Sequence, residues 1–190
     1  MPKLRIRRGS MSAFFSLHVL VPATLFVVLA LPTHAQSVPN GFRDEFLTQF
    51  GTSMSKFIAL ARAMPEETYS WSPGEGVMPV AQVYAHIARY NYYYPANYMG
   101  TAVPSHVDVE SLETIKKKTE IIALLDQSGE HVRQLAEGIS AQQLAQPVEL
   151  YGRMAPQWAV LFQLVAHMNE HLGQSIAYAR MNGVVPPWSQ

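Results

Sequence analysis

An all-α chain is expected, folded as a four-helix bundle over residues 36–190 and preceded by an N-terminal export signal over residues 1–35. Apolar residues recur at steps of three and four along four long segments, the spacing that places them on one helical face. Stretches rich in Pro and Gly separate those segments. No segment alternates with period two for long enough to build a sheet; the longest strand candidate, Val148 to Tyr151, is too short. Helices with one apolar stripe each bury those stripes against one another, which is the bundle architecture.

The elements follow in order. Lys3, Arg5, Arg7 and Arg8 precede an apolar stretch from Met11 to Leu31, and Thr33 and Ala35 supply the small residues of a signal-peptidase site, so cleavage is expected after Ala35. The rival reading is an uncleaved anchor, since the stretch is long enough to span a bilayer, but Ser16, His18, Pro22 and Thr24 interrupt it. The pair Arg7-Arg8 raises a twin-arginine route that the following residues fit poorly. On each of these readings the folded part is extracytoplasmic, periplasmic or secreted, and membrane contact is limited to an uncleaved signal segment.

The first helix is expected from about Phe42 to Ala63, with Phe42, Phe46, Phe50, Met54, Phe57, Ile58 and Ala61 on its stripe, Asn40 as cap and Pro65 as stop. Glu66 to Met78, holding Pro73, Gly74 and Gly76, reads as a loop. The second helix opens at Pro79 and carries Val83, His86, Ile87, Tyr90 and Tyr94, with Pro95 expected to kink or end it. After a loop from Gly100 to Asp108, the third helix is expected from about Glu110 to Glu137, with Leu112, Ile115, Ile122, Leu125 and Val132 inward. Ile139 to Pro156 is mixed, with a short helix near Ala141. The fourth long helix runs from Pro156 to about Arg180, where Asn182-Gly183 caps it and Pro186-Pro187 prevents continuation.

Charge and composition exclude several functions. Four of the 14 basic residues lie in the first eight positions, which leaves ten against 14 acidic ones in residues 36–190, a net of −4. A nucleic-acid binder would carry a basic surplus on its folded part. The run Lys116-Lys117-Lys118 sits among Glu110, Glu113 and Glu120 and reads as a solvated face. With no cysteine, a disulfide framework, a thiolate zinc site, a cysteine nucleophile and a lipidated cysteine are all ruled out. Such a chain suits an oxidising compartment.

The chemistry then falls to the seven histidines. His18 and His34 belong to the signal, His106 to a loop, and His131 is expected to be solvated. His167 and His171 are four apart, a rotation of about 400°, so both rings lie on one face about one turn apart. That face continues through Val160, Leu164, Gln174 and Tyr178, and so points inward. His86 likewise replaces an apolar residue in the line Val83, His86, Tyr90, Tyr94. Burying unpartnered imidazoles is costly, and a divalent metal resolves that cost by taking neutral imidazole as ligand. The plainer alternative is three hydrogen-bonded core histidines. His167-Met168-Asn169-Glu170-His171 also matches the H-x-x-E-H metalloprotease pattern, but no carboxylate ligand follows in the remaining 19 residues. Glu170 is either a partner that orients a histidine or a surface charge, and the surface charge is preferred.

The run His167-Met-Asn-Glu-His171-Leu-Gly-Gln174, continued by Tyr178-Ala-Arg180-Met-Asn-Gly183, resembles the C-terminal signature of the DinB-like family. So do Trp71-Ser-Pro73-Gly-Glu-Gly76 and, ten residues on, His86 with Asn91-Tyr-Tyr. The resemblance implies a four-helix bundle with one long connection and a metal triad of His86, His167 and His171. The ion it implies is zinc or nickel first, with iron or manganese as further candidates, and imidazole ligation by itself also admits copper. Some relatives are transferases or isomerases that use low-molecular-weight thiols such as bacillithiol or mycothiol; many have no known activity, and dimers are common, so a homodimer is compatible with the chain. The export signal is a departure, because the thiol-using members work in the cytoplasm.

Three imidazoles leave a divalent ion at least one open position, the pattern of a catalytic rather than a structural site. The expected function is therefore a metal-dependent hydrolase or a thiol-dependent transferase acting on a small molecule. The alternative is a non-catalytic metal-binding or interaction bundle, and a weaker option is a member that keeps the histidines and binds no metal. Tyr90, one turn beyond His86, is the candidate to line the open face and handle a proton, against a plain packing role. Arg89 is read as a substrate-carboxylate clamp or, more plainly, as a solvated arginine. The tyrosines Tyr90, Tyr92, Tyr93, Tyr94 and Tyr98 are expected to spread round the helix without forming one platform.

Overall fold

Helix α1, Phe42–Ala63, opens a computed structural model that describes residues 41–189. The expected signal and the expected cap Asn40 lie outside the described residues. Of the expected stripe of α1, Phe46, Phe50, Met54, Phe57 and Ala61 are buried and Phe42 and Ile58 partly so, and Leu60 is buried beside them. Met64 turns extended because Pro65 follows and disfavours the helical conformation before it. The segment up to Pro79 holds a 3₁₀ turn, Glu66–Ser70, pinned by the Tyr69 hydroxyl, which donates to the Ala61 carbonyl at 2.7 Å.

Helix α2 spans Val80–Met99 and runs through Pro95. The proline forfeits one backbone bond, but Tyr94 and Pro95 are buried and hold the last turn in place. Gly100, at φ 68°, ends the helix, and Thr101 donates back to the Pro95 carbonyl at 3.1 Å.

The third long helix starts later than expected. Helix α3 spans Lys118–Gly138, and the stretch read as its first two turns is instead a 3₁₀ turn, Leu112–Thr114, followed by extended backbone. Local bonds compete with the helix there: the Asp108 carboxylate accepts from the Glu110 N–H at 3.3 Å, and Ser111 donates to the Asp108 carbonyl at 3.0 Å. Lys118 also departs from the solvated face expected of its run. Its Nζ donates to the Arg62 and Met64 carbonyls at 2.9 and 2.6 Å, which satisfies the free end of α1.

A short helix α4, Ala141–Leu144, carries a capping box between Ser140 and Gln143. A β-hairpin that the sequence did not announce then follows, with β1 Pro147–Leu150 paired antiparallel to β2 Arg153–Pro156. Tyr151 at φ 52° and Gly152 at φ 74° form its two-residue turn. Both central residues of such a turn need positive φ, and a tyrosine in the first position hides the usual Asn-Gly or Asp-Gly signal. A lone hairpin is marginal in water, and this one is held by burying Leu150 and Ala155 against the bundle. Helix α5, Gln157–Met181, completes the fold, with Gly183 at φ 75° beyond its end.

The four long helices form a ring of contacts in which α1 and α2 each pack against both α3 and α5. Two polar pairs interrupt the apolar core: Asn91, 1% exposed, donates to Ser128 at 3.1 Å, and Ser53 donates to Asn169 at 2.8 Å. No helix among the described residues is long and apolar enough to cross a membrane.

Candidate metal centre

His86 comes from the middle of α2, and His167 and His171 come from one face of α5, which packs against α2. One nitrogen from each ring lies within 4.8 Å of the others. The Nε2 atoms of His86 and His167 are 3.2 Å apart. Two imidazole ligands of one tetrahedral ion, each about 2.0–2.1 Å from it, would be separated by about 3.3 Å.

The other ring nitrogens show how the rings are oriented. His86 Nδ1 lies 2.8 Å from Glu113 Oε1, and a carboxylate only accepts, so the hydrogen of neutral His86 sits on Nδ1 and its Nε2 is bare. His171 Nδ1 lies 2.7 Å from Gln174 Oε1. Gln174 donates to the Tyr178 hydroxyl at 2.8 Å, and that hydroxyl donates to the Met78 carbonyl at 3.2 Å. Every donor in this chain finds an acceptor when His171 carries its hydrogen on Nδ1, which again leaves Nε2 bare. A bare Nε2 on His86 facing His167 Nε2 at 3.2 Å calls for a positive group between them, either the hydrogen of His167 or a cation. The residues present therefore suit a divalent ion held by neutral imidazole.

Burial supports the neutral forms. Desolvation, then the neighbouring His171 and His86, lowers the pKa of His167 to about 4. Desolvation also lowers His86, against the opposing pull of Glu113.

The remaining expected site residues divide. Tyr90 does line the cluster, its ring 4.5 Å from both His86 and His167. Arg89 is neither solvated nor free: its side chain is 17% exposed, bonded to Glu110 at 3.1 Å, and stacked 5.4 and 5.1 Å from the rings of Tyr90 and Tyr93. The tyrosines are not dispersed either. Tyr90, Tyr93, Tyr94 and Tyr98 form one wall joined by Tyr151 from the hairpin turn, whose hydroxyl bonds that of Tyr94. They are offset by three, four and eight residues and so share a stripe. Tyr92 alone turns away, against His131, with ring centroids 4.9 Å apart. His131, expected in solvent, is half-buried there, its Nε2 is enclosed without a hydrogen-bond partner, and burial lowers its pKa. His106 and Glu170 are exposed.

Glu113 was missed because its segment read as helix, where it would have been one more surface acid. Tyr151 was missed with the hairpin. Spacing alone flags neither residue.

A four-helix bundle whose second and last helices bring three histidines together defines the class of protein. The chain belongs to the DinB superfamily, whose family model matches residues 49–175. Among solved structures it is similar to a DinB-like protein from Bacillus cereus, at 18% identity and a TM-score of 0.66, over 76% of this chain and 95% of that one. It is also similar to a DinB-like protein from Bacillus subtilis, at 21% identity and a TM-score of 0.60, over 77% and 98%. No curated protein matches it.

Proposed function

We propose that the protein binds one divalent transition ion, zinc or nickel before iron or manganese, through His86, His167 and His171. On this reading it acts on a small molecule as a metal-dependent hydrolase or thiol-dependent transferase. The observation that carries the proposal is the convergence of three imidazoles within 4.8 Å, two of them with their outer nitrogens already engaged. An ion with three imidazole ligands keeps an open position and lowers the pKa of a water or thiol placed there. The chain's own residues supply the rest. Glu113 and Gln174 hold two rings in place, burial keeps His86 and His167 neutral, and Tyr90, its ring 4.5 Å from both of those histidines, is the candidate to orient a substrate or pass it a proton. The basic, then apolar, then small-residue N-terminus supports export to the periplasm or beyond. Export favours water over a cytoplasmic thiol as the nucleophile.

Elemental mass spectrometry of protein purified without a histidine tag or chelator tests the metal centre. About one equivalent of a transition metal, lost in the His167→Ala/His171→Ala variant, is the expected result. No metal in either protein after reconstitution would make the three histidines core polar residues. The catalytic half is tested by screening hydrolase and thiol substrates on the loaded protein.

A further inference from the structure

We propose that Glu113 is a positioning residue of the histidine cluster, its carboxylate holding His86 in the Nδ1–H form so that the Nε2 lone pair faces His167 and His171. The ring-setting role stands on geometry alone; its bearing on metal affinity rests on the metal-site reading above.

Glu113 is not carried by a bundle helix. It comes from the 3₁₀ turn Leu112–Thr114 within the α2–α3 connection, and that turn packs on α2. Leu112 is buried beneath it, and Thr114 closes it by donating to the Ser111 carbonyl at 2.7 Å. The carboxylate meets three residues of α2: Oε1 lies 2.8 Å from His86 Nδ1 and 3.8 Å from Arg89 Nε, while Oε2 accepts from Gln82 Nε2 at 3.2 Å. Gln82, His86 and Arg89 are spaced by four and three, so one carboxylate engages one stripe of the helix. Glu110, from the same connection, holds Arg89 from its other side. With Gln82 and Arg89 engaged, the carboxylate is fixed from two directions and its strongest bond falls on the histidine.

A plain structural ion pair would look similar, so the distinction lies in the state of the ring and in metal affinity. Glu113 is 24% exposed and His86 16%, so the contact is largely shielded from water and serves stability as well. A carboxylate acceptor at Nδ1, however, dictates which nitrogen carries the hydrogen. Neutral imidazole in water favours the opposite form, with hydrogen on Nε2. The Nδ1–H form at His86 therefore reports the Glu113 contact directly, and metal affinity separates positioning from a plain structural bond.

The test is long-range ¹H–¹⁵N NMR of the metal-free protein labelled at histidine nitrogens, at about pH 8 where imidazoles are neutral. The His86 signals are assigned by their loss in His86→Gln. Native His86 is expected as Nδ1–H, Glu113→Ala is expected to shift it toward Nε2–H, and Glu113→Gln, whose amide oxygen still accepts, is expected to restore Nδ1–H. Native His86 in the Nε2–H form overturns the proposal, and that result needs no variant to fold. An unchanged ring in folded Glu113→Ala overturns it equally. Zinc affinity, read by competition with a chromophoric chelator, is expected to fall about 10–100-fold in Glu113→Ala relative to native protein, whatever the cost to metal-free melting. Equal zinc affinity in the two proteins overturns the link to the metal. A native protein that takes up none of zinc, nickel, iron or manganese but shows the expected ring states would remove the metal reading and leave the role of Glu113 standing, so the two failures are distinct.

Discussion

Helices α1 and α5 lie side by side and present inward stripes of opposite character. The stripe of α1 is Phe46, Phe50, Met54, Phe57 and Leu60, apolar from end to end, and it needs nothing but shape complementarity. The stripe of α5 begins alike with Val160, Leu161 and Leu164 but then carries His167, His171 and Gln174. Those polar groups are matched first along α5, His171 by Gln174 and Gln174 by Tyr178, and then beyond it, Tyr178 reaching the Met78 carbonyl and the facing His86 reaching Glu113 in the α2–α3 connection. An apolar stripe can be built from one helix and its neighbours. A polar stripe, even one only half-buried, draws on loops to satisfy it.

The largest break in that contrast is on the apolar side. Phe57 is fully buried, so Phe57→Ala is expected to cost about 3–5 kcal/mol by loss of transfer energy plus a cavity. Chemical denaturation measures it. Metal content per folded molecule should be unchanged. A variant that stays folded yet loses its metal would show that the two stripes are not independent.

The polar side should respond in reverse. His171→Ala is expected to weaken metal binding more than 100-fold, beyond the about 10–100-fold typical of an outer partner, with little change in metal-free stability because the ring is only half-buried. Native protein should gain about 2.7 kcal/mol at a free metal concentration one hundred times its dissociation constant, and the variant less than about 0.4 kcal/mol at the same concentration. Thermal melts with and without metal decide it. If His171→Ala destabilised the metal-free protein as severely as Phe57→Ala, the histidines would be packing residues and the contrast would collapse.

Legibility in the sequence follows the same division. The stripes of α1, α2 and α5 were readable because apolar spacing reports a helical face directly, and the triad stood out because it interrupts that spacing. Elements set by local backbone chemistry were not readable. Asp108 and Ser111 turn the chain away from helix before Lys118, although Leu112 and Ile115 continue the apolar period. Tyr151 occupies a positive-φ position that sequence statistics assign to Asn, Asp or Gly. The partners of the triad sit on such segments or end on them, so the ligands were visible and Glu113, which orients one of them, was not. Likewise the tyrosines were visible, while their assembly into one wall depended on a hairpin turn.

That hairpin offers a smaller break. Gly152 sits at φ 74° with open space where a Cβ would be, so Gly152→Ala should cost about 1–2 kcal/mol from backbone conformation alone. The variant should also loosen Tyr151 from Tyr94, which near-ultraviolet circular dichroism would register. Full stability with an unchanged aromatic signal would mean that the turn does not depend on its left-handed glycine.

The smallest effect concerns His131, whose ring lies against Tyr92 well away from the triad stripe. Burial lowers its pKa in the folded protein below the ordinary value of 6.5, so the unfolded chain binds the proton more tightly. Stability is therefore highest above about pH 6.5 and declines as pH falls through and below that value, where the unfolded state gains a proton that the folded state resists. In the metal-free protein His86 and His167 add to the decline with the same sign, since burial lowers them too. His131→Leu removes one contribution and leaves the others. Its unfolding free energy, measured in urea at several pH values, should fall less steeply between neutral pH and pH 5 than that of the native protein. An identical slope would mean that His131 opens to water before it protonates, and that its unpartnered nitrogen costs the fold nothing in acid.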